Sequence, residues 1–295
     1  MPTAHELEEV NLAKVTVTGA GRVRRRRRIA AASWRAPSSG LIHGFLDLDV
    51  TAAEAWWQAF PKVSATHVVG CAIAQAVAAC PDARGRVVGG RILTRETVDI
   101  AFVVDREGRD LTSTCVRDAD QLDPAALARA LAGRTRDVRG GRDRELGKAS
   151  HVAAVFPSGI RRSFLWASGV WTAGLGRPLR PFGLEPHPFG SVLVSSVGMF
   201  GLDTGLAPIL PYARHAGTAV VGEVTWQARV VGGQIVPRRM LRLGVTLDHR
   251  LVDGAQAALM ARIVREISEH PWETWGGAAP DPSLVAGAPD PTEIA

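Results

Sequence analysis

His249 and Asp253 stand four positions apart in Asp248-His249-Arg250-Leu251-Val252-Asp253-Gly254. A neutral imidazole titrates near physiological pH and can take a proton as a general base. An aspartate at this spacing can hold such a corner together, or it can simply open a helix, because Asp ahead of an apolar run is an ordinary N-terminal signal. On the motif alone both readings stand: a base with its supporting carboxylate, or a capping pair.

The flanking pattern says what must position these two residues. Leu241, Leu243, Val245 and Leu247 alternate with Arg242, Gly244 and Thr246, which predicts a half-buried strand. From Asp253-Gly254 the chain changes to helical spacing, with Ala255, Leu259, Ile263 and Ile267 expected along the buried stripe. His249 is therefore expected in a strand-to-helix corner held by two rigid elements.

Read further, His249-Arg250-Leu251-Val252-Asp253-Gly254 has the form H-R-x-x-D-G. It resembles the signature of the catalytic domain of the acyltransferase component of 2-oxo-acid dehydrogenase complexes, a family that shares its fold with chloramphenicol acetyltransferase. The likeness continues upstream. Ser195-Ser196-Val197-Gly198-Met199-Phe200-Gly201 resembles the family's "ISNLGMFG", Ala207-Pro208-Ile209 its "APII", and Ala219-Val220-Val221-Gly222 its "AILGVG". Gly232-Gly233-Gln234-Ile235-Val236, with Arg239-Met240, fits the hairpin feeding the last strand. The resemblance runs from about Arg24 to Trp275 and is strongest from Ser195 onward.

The resemblance implies an α/β domain, a chloramphenicol acetyltransferase-like mixed sheet flanked by helices that builds a trimer. It implies a coenzyme-A-dependent acyltransferase moving an acyl group between coenzyme A and a dihydrolipoyl or small-molecule thiol or hydroxyl. His249 would be the base, Ser195 the hydrogen-bond donor to the tetrahedral oxyanion, and Asp253 the residue that holds the corner; Ser and His would come from different chains of the trimer. Coenzyme A would enter as acyl-CoA co-substrate, and a lipoyl group would be used only on a separate partner protein. Implied partners are further copies of the chain and a lipoyl-carrying protein or dehydrogenase subunits. The chain shows no lipoyl-carrying segment and no Pro-Ala linker, so it resembles a free-standing catalytic domain. That leaves a second reading, a catalytically weak scaffold or core subunit of such an assembly. A Ser-His-Asp hydrolase is disfavoured, since Ser195 follows Val192-Leu193-Val194 and lies outside any G-x-S-x-G elbow.

Composition sets the outer bounds. The 295 residues are 46% hydrophobic, enough for one large domain. The net charge of +6 raises the question of nucleic acid. Yet only Lys14, Lys62 and Lys148 are lysines, the arginine bias is one that genome composition can produce, and Arg24 to Arg28 has no aromatic partners nearby. No nucleic-acid partner is expected. Cys71, Cys80 and Cys115 show neither metal-ligand spacing nor an even count, so no metal is expected and a reducing cytoplasm fits. The acidic, polar first residues do not read as a secretory signal.

Along the chain, residues 1–21 read as a polar arm, 22–275 as the catalytic-type domain and 276–295 as a disordered Gly/Ala/Pro tail. Arg27-Arg28-Ile29-Ala30 resembles the basic start of the family's first helix, expected over Ile29 to Trp34. Phe45 to Val50 and Val98 to Val104 read as strands, and His67 to Ala79 as a small-residue helix. Thr51 is expected to cap a helix carrying Trp56 and Trp57, and Asp123-Pro124 to open a helix through Leu131. Between about 152 and 190 the chain departs from the family pattern. An apolar run from Ser163 to Leu175, flanked by Arg161, Arg162, Arg177 and Arg180, is too short to span a membrane. A contact with a neighbouring subunit is the first expectation for this insert, shielding of the active-site mouth the second, and contact with a membrane surface the third.

Overall fold

The computed structural model describes residues 40–280, apart from 89, 107–109, 140–157, 183 and 211–212. The expected N-terminal arm and first helix, with the Arg24–Arg28 run, lie outside the described residues, as does the tail beyond 280.

The described residues form eight strands: β1 (Leu41–Asp49), β2 (Gly85–Val88), β3 (Arg91–Thr94), β4 (Ile100–Arg106), β5 (Asp110–Val116), β6 (Val192–Ser196), β7 (Gly217–Val231) and β8 (Gln234–Asp248). Six make one mixed sheet in the order β1-β8-β7-β6-β4-β5, and β2 with β3 makes a separate hairpin. The β4–β6 and β6–β7 pairs are parallel; the others are antiparallel. The helices are α1 (Thr51–Gln58), α2 (Ala65–Ala79), α3 (Pro124–Arg139), α4 (Ser158–Gly169), α5 (Gly254–Glu269) and α6 (Pro271–Trp275).

The core follows from strand alternation. Leu46 and Leu48 of β1, Leu241, Leu243 and Leu247 of β8, Ala219 and Val221 of β7 and Val192 and Val194 of β6 share one sheet face. They pack with Val68, Ala72, Ile73 and Ala76 of α2 and with Met260 and Val264 of α5. The alanines let α2 approach closely, as does Gly70, where an added Cβ would come within 2.7 Å of Phe102. Cys71 and Cys80 are buried and unpaired, acting as small core residues as expected. Among the described residues no helix is long and apolar enough to cross a membrane.

Three local expectations are corrected. The fully buried stripe of α5 is Met260, Val264 and Ser268; of the expected positions Ile263 and Ile267 pack against the core as Ala257 and Ala261 do, Leu259 is half-buried, and Ala255 is exposed. A one-position rotation of the stripe is hard to see in a helix this rich in alanine and isoleucine. Thr51 is the first helical residue, not the cap. Its Oγ1 donates to Asp49 Oδ1 at 2.6 Å and accepts from the Arg239 backbone N–H at 2.9 Å, tying α1 to the hairpin. The outer face of β8 is also covered, with Gly244 and Thr246 buried, because the 201–206 loop lies across it. Asp123, by contrast, does cap α3, its Oδ1 accepting from Ala126 N at 2.6 Å.

Candidate active site

β8 delivers His249 to the corner as expected. Asp248 ends the strand, its N–H donating to Ala216 O at 2.9 Å, and its own carbonyl accepts from Leu251 and Val252 N–H in a tight turn. The Asp248 carboxylate accepts from the Arg250 backbone N–H at 3.0 Å and from the Arg250 guanidinium through Nε and Nη2. Burial alone would raise the Asp248 pKa, but the hydrogen bonds and charge of Arg250 outweigh it and hold the carboxyl below its ordinary value. The Asp-His-Arg order thus has a local purpose: the flanking pair closes the turn and His249 is left pointing outward, exposed.

His249 Nδ1 lies 3.0 Å from Val252 O. A carbonyl only accepts, so Nδ1 carries the proton and Nε2 keeps its lone pair free. That is the tautomer a general base needs. Asp253 makes no hydrogen bond to the ring. It caps α5, Oδ1 accepting from Gln256 N at 2.9 Å while Gln256 Oε1 accepts from Asp253 N at 2.9 Å. Gln256 Nε2 in turn donates to Asp82. Of the two readings open in the sequence, Asp253 takes the capping one, and the imidazole is oriented by backbone.

Ser195 ends β6, half-buried, on the sheet face opposite the helices. Its hydroxyl has no hydrogen-bond partner among the described residues. The segment that follows, Gly198–Phe200 and onward to Leu206, folds back over β7 and β8. A Cβ on Gly222 would come within 1.9 Å of Asp203 O, and one on Gly244 within 2.0 Å of Gly205 O, so both positions require glycine for backbone to approach backbone. The loop leaves Met199, Phe200, Leu202 and Leu206 exposed beside Ser195.

The structure does not bring Ser195 and His249 together within one copy. Ser195 is level with Val220 of β7 and, through it, with Gly244 of β8. His249 lies five residues farther on, about 17 Å along the sheet and about 10 Å across two strand spacings. No single thioester carbonyl touches both.

Polar residues that the sequence did not single out lie on the Ser195 face. His43 Nδ1 is 3.0 Å from Thr246 Oγ1, and His215 Nε2 is 3.2 Å from Thr218 Oγ1. Thr246 and Thr218 are register partners. His215 is buried, and desolvation with the nearby Arg95 charge pulls its pKa down to about 4, so it is neutral. Its signal in the sequence was only a histidine just before a strand, which carries no motif. Among the described residues no group of three or more His, Cys, Asp or Glu side chains could hold a metal.

Residues 187–275 match the family model of the 2-oxoacid dehydrogenases acyltransferase (catalytic domain). The lipoamide acyltransferase component of the branched-chain alpha-keto acid dehydrogenase complex of Pseudomonas aeruginosa is 39% identical over 111 residues, covering 36% of this chain and 25% of the relative. The chain spans about a quarter of the length of the curated relatives it matches. Among solved structures, the dihydrolipoamide acetyltransferase of Azotobacter vinelandii overlays with a TM-score of 0.59 at 20% identity, over 81% of this chain and 85% of that one. The cubic core of the pyruvate dehydrogenase multienzyme complex does so with a TM-score of 0.59 at 20% identity, over 88% and 97%. Residues 187–275 thus match the catalytic-domain model of that family, and the chain shares its fold with the dihydrolipoamide acetyltransferase cores.

Proposed function

We propose that the protein is a coenzyme-A-dependent acyltransferase whose site is completed by a second copy, one supplying Ser195 and the other His249. The observation that carries this reading is the His249 corner: the imidazole is exposed, Nδ1 is tied to Val252 O at 3.0 Å, and Nε2 is free. His249 Nε2 takes the proton of an incoming thiol as its sulfur attacks the thioester carbonyl carbon. Ser195 Oγ–H donates to the oxyanion that forms on the carbonyl oxygen. As that oxyanion collapses the carbon–sulfur bond to the old carrier breaks, and the imidazolium returns its proton to the departing thiolate.

Coenzyme A is the co-substrate, and a dihydrolipoyl group on a separate protein is the other thiol. Serine, histidine and asparagine have been investigated in the catalytic mechanism of the Azotobacter relative, the last two four positions apart. Here the same spacing separates His249 and Asp253, and Asp253 serves the corner through α5. The separation of Ser195 from His249 in one copy supports an assembly of copies, a trimer or a multiple of it. The three free cysteines are consistent with a reducing, cytoplasmic setting.

The test is subunit mixing. Ser195→Ala and His249→Ala are each inactive in transfer of acetyl groups from acetyl-CoA to dihydrolipoamide. Oligomers reassembled from equal amounts of both recover about a quarter of the sites, because one site in four draws its serine and histidine from the intact sources. No recovery in mixed oligomers of the correct size rules out the shared site. Full activity of His249→Ala on its own removes His249 as the base, and a wild type that transfers no acyl group leaves the scaffold reading.

A further inference from the structure

A group of buried polar side chains on the Ser195 face takes no part in the chemistry above. Arg95 follows β3 and is 7% exposed, and its Nε and Nη1 atoms are wholly buried without a hydrogen-bond partner. His215 and Ser191 are each 1% exposed, and His215 Nδ1 and Ser191 Oγ are likewise unpartnered. These three come from separate stretches of chain that converge. Ala216 N donates to Ser191 O at 2.9 Å, Ser191 N donates to Asp99 O at 2.6 Å, and Arg95 is close enough to His215 to depress its pKa.

The surrounding cations offer nothing back to Arg95. Arg86 Nε donates to Gly174 O at 2.6 Å and Arg214 Nη1 to Val87 O at 2.7 Å. Among the described residues Asp99 is the one buried carboxylate here, and Arg117 takes it at 3.0 Å. His187 and His215 are both drawn down to about 4 by burial and neighbouring arginines, so neither adds a charge at neutral pH. Burial pulls Arg95 down to about 10, which leaves it protonated. Asp99 acts on Arg95 only at longer range, its carboxylate being bonded to Arg117, and a buried guanidinium with no directly bonded counter-charge is unfavourable until an anion joins it.

Its position says what the anion belongs to. His215 bonds Thr218, which sits on the Ser195 face two residues along β7 from the register partner of Ser195. At the same sheet end, Ala216 pairs with Asp248, the residue before His249, and Arg214 feels the charge of Arg250. The group therefore lies between Ser195 and His249 of one copy, next to the serine half of one shared site and the histidine half of another.

We propose that Arg95, His215 and Ser191 form a buried receptor for a small oxyanion of the acyl-CoA, either a terminal carboxylate on the acyl group or a phosphate of the coenzyme. This rests on the acyltransferase reading only for the identity of the carrier. The receptor itself is tested without turnover.

Melting of wild type, Arg95→Met and Arg95→Lys is followed with succinate, inorganic phosphate and acetate at matched ionic strength. Without ligand, Arg95→Met melts about 3–6 °C above wild type, since it removes a buried unpaired charge. An arginine that merely supported the fold gives a lower melting temperature instead, and that result overturns the proposal. Wild type is stabilised by the bound oxyanion, Arg95→Met is not, and Arg95→Lys keeps part of the effect. The same response to every anion in wild type and Arg95→Met also overturns it.

Kinetics then assign the source. If the carboxylate binds, Arg95→Met lowers kcat/KM for succinyl-CoA by on the order of 10- to 100-fold and spares acetyl-CoA. If the phosphate binds, both thioesters suffer alike and 3′-dephospho-CoA loses its disadvantage in the variant. Anion stabilisation that depends on Arg95 in a protein that transfers no acyl group upholds the receptor and sinks the acyltransferase reading. Acyl transfer with no role for Arg95 does the reverse.

Discussion

Beside the base of the β7–β8 hairpin, four arginines meet three carboxylates; at the opposite end of the sheet, four arginines meet one. In the first group Arg242 and Arg229 share Asp47, Arg238 faces Asp49 at 3.6 Å, and Arg239 grips Glu54 at 2.6 and 3.0 Å. Every guanidinium has a carboxylate, and the pairs tie β1, α1 and the hairpin together. In the second group Arg117 has Asp99, Arg86 and Arg214 have backbone carbonyls, and Arg95 has none. Matched charges, partly exposed except for the buried Arg238, describe a structural joint. Unmatched charge in the interior describes a place where something else binds. The same residue type, used twice, thus separates scaffold from receptor by what stands opposite it.

The comparison breaks most visibly at Asp99, which is 0% exposed. Asp99→Asn keeps the shape and removes the one negative charge among these arginines. It also weakens the bond to Arg117, whose side chain is 42% exposed and so partly rehydrates. The expected loss is about 3 kcal/mol, roughly 6–12 °C in melting temperature. A loss under about 1 kcal/mol in denaturant titration means the cluster is already neutralised by solvent, and the contrast between the two groups fails.

Glu54→Gln is the corresponding change in the matched group. It removes a bidentate, partly buried pair on which the raised Arg239 pKa chiefly depends. About 1–2 kcal/mol is expected, less than for Asp99, because Arg239 also lies over the Trp226 ring at 5.2 Å. Equal losses at Glu54 and Asp99 contradict the ordering.

How far these groups could be read from sequence differs for a physical reason. The hairpin and the His249 turn were legible because each is set by neighbours in sequence or by a strand register that alternation reveals, whereas the loop contacts at Gly222 and Gly244 come from the 201–206 loop crossing the sheet and were not. The α2 helix was legible for the same reason. The role of Thr51 was not, since a threonine before a helix reads as a cap whether or not Arg239 reaches it from 188 residues away. The Arg95 group was least legible. Its members come from positions 86 to 215, and each sits in an ordinary local pattern; only the fold gathers them. The insert was half legible. Its apolar run forms α4 and a following wide turn, Val170–Gly174, burying Ser168, Thr172 and Ala173 while Trp166 stays 66% exposed. The side chains of Arg161 and Arg162, expected at its edge, lie outside the described residues, as does that of Leu165 within the run.

Asp47 sharpens the comparison through pH. The hydrogen bond from Arg242, with help from Arg229, lowers its pKa from 3.8 to about 2 despite partial burial. A depressed folded-state pKa contributes stability above the unfolded value, and that stability is lost as pH falls from about 4 toward 2. With about a third of the side chain in solvent, the contribution is discounted to about 1 kcal/mol. Asp47→Asn should therefore lower stability by about that amount at pH 7 and show no difference from wild type near pH 2. A gap between the two proteins that persists at pH 2 removes the ion pair as its cause.

The smallest effect concerns an arginine satisfied in a third way. Arg177 has no ion pair among the described residues; its guanidinium lies over the Trp171 ring at 5.5 Å, while Trp171 Nε1 donates to Pro178 O at 3.3 Å. This covers part of an aromatic side chain that is still 40% exposed, and it closes the turn after the insert helix. Stacking at an exposed site contributes about 0.5–1 kcal/mol, so Arg177→Ala should lower the melting temperature by about 1–3 °C. Arg177→Lys should recover only part, because an ammonium gives charge over the ring without the flat contact. If lysine restores the full value, charge alone is at work and the covering of Trp171 is incidental. If alanine changes nothing, the turn is held by its backbone hydrogen bonds and the arginine is free for another surface, which returns the insert to the expectation that it meets a neighbouring copy.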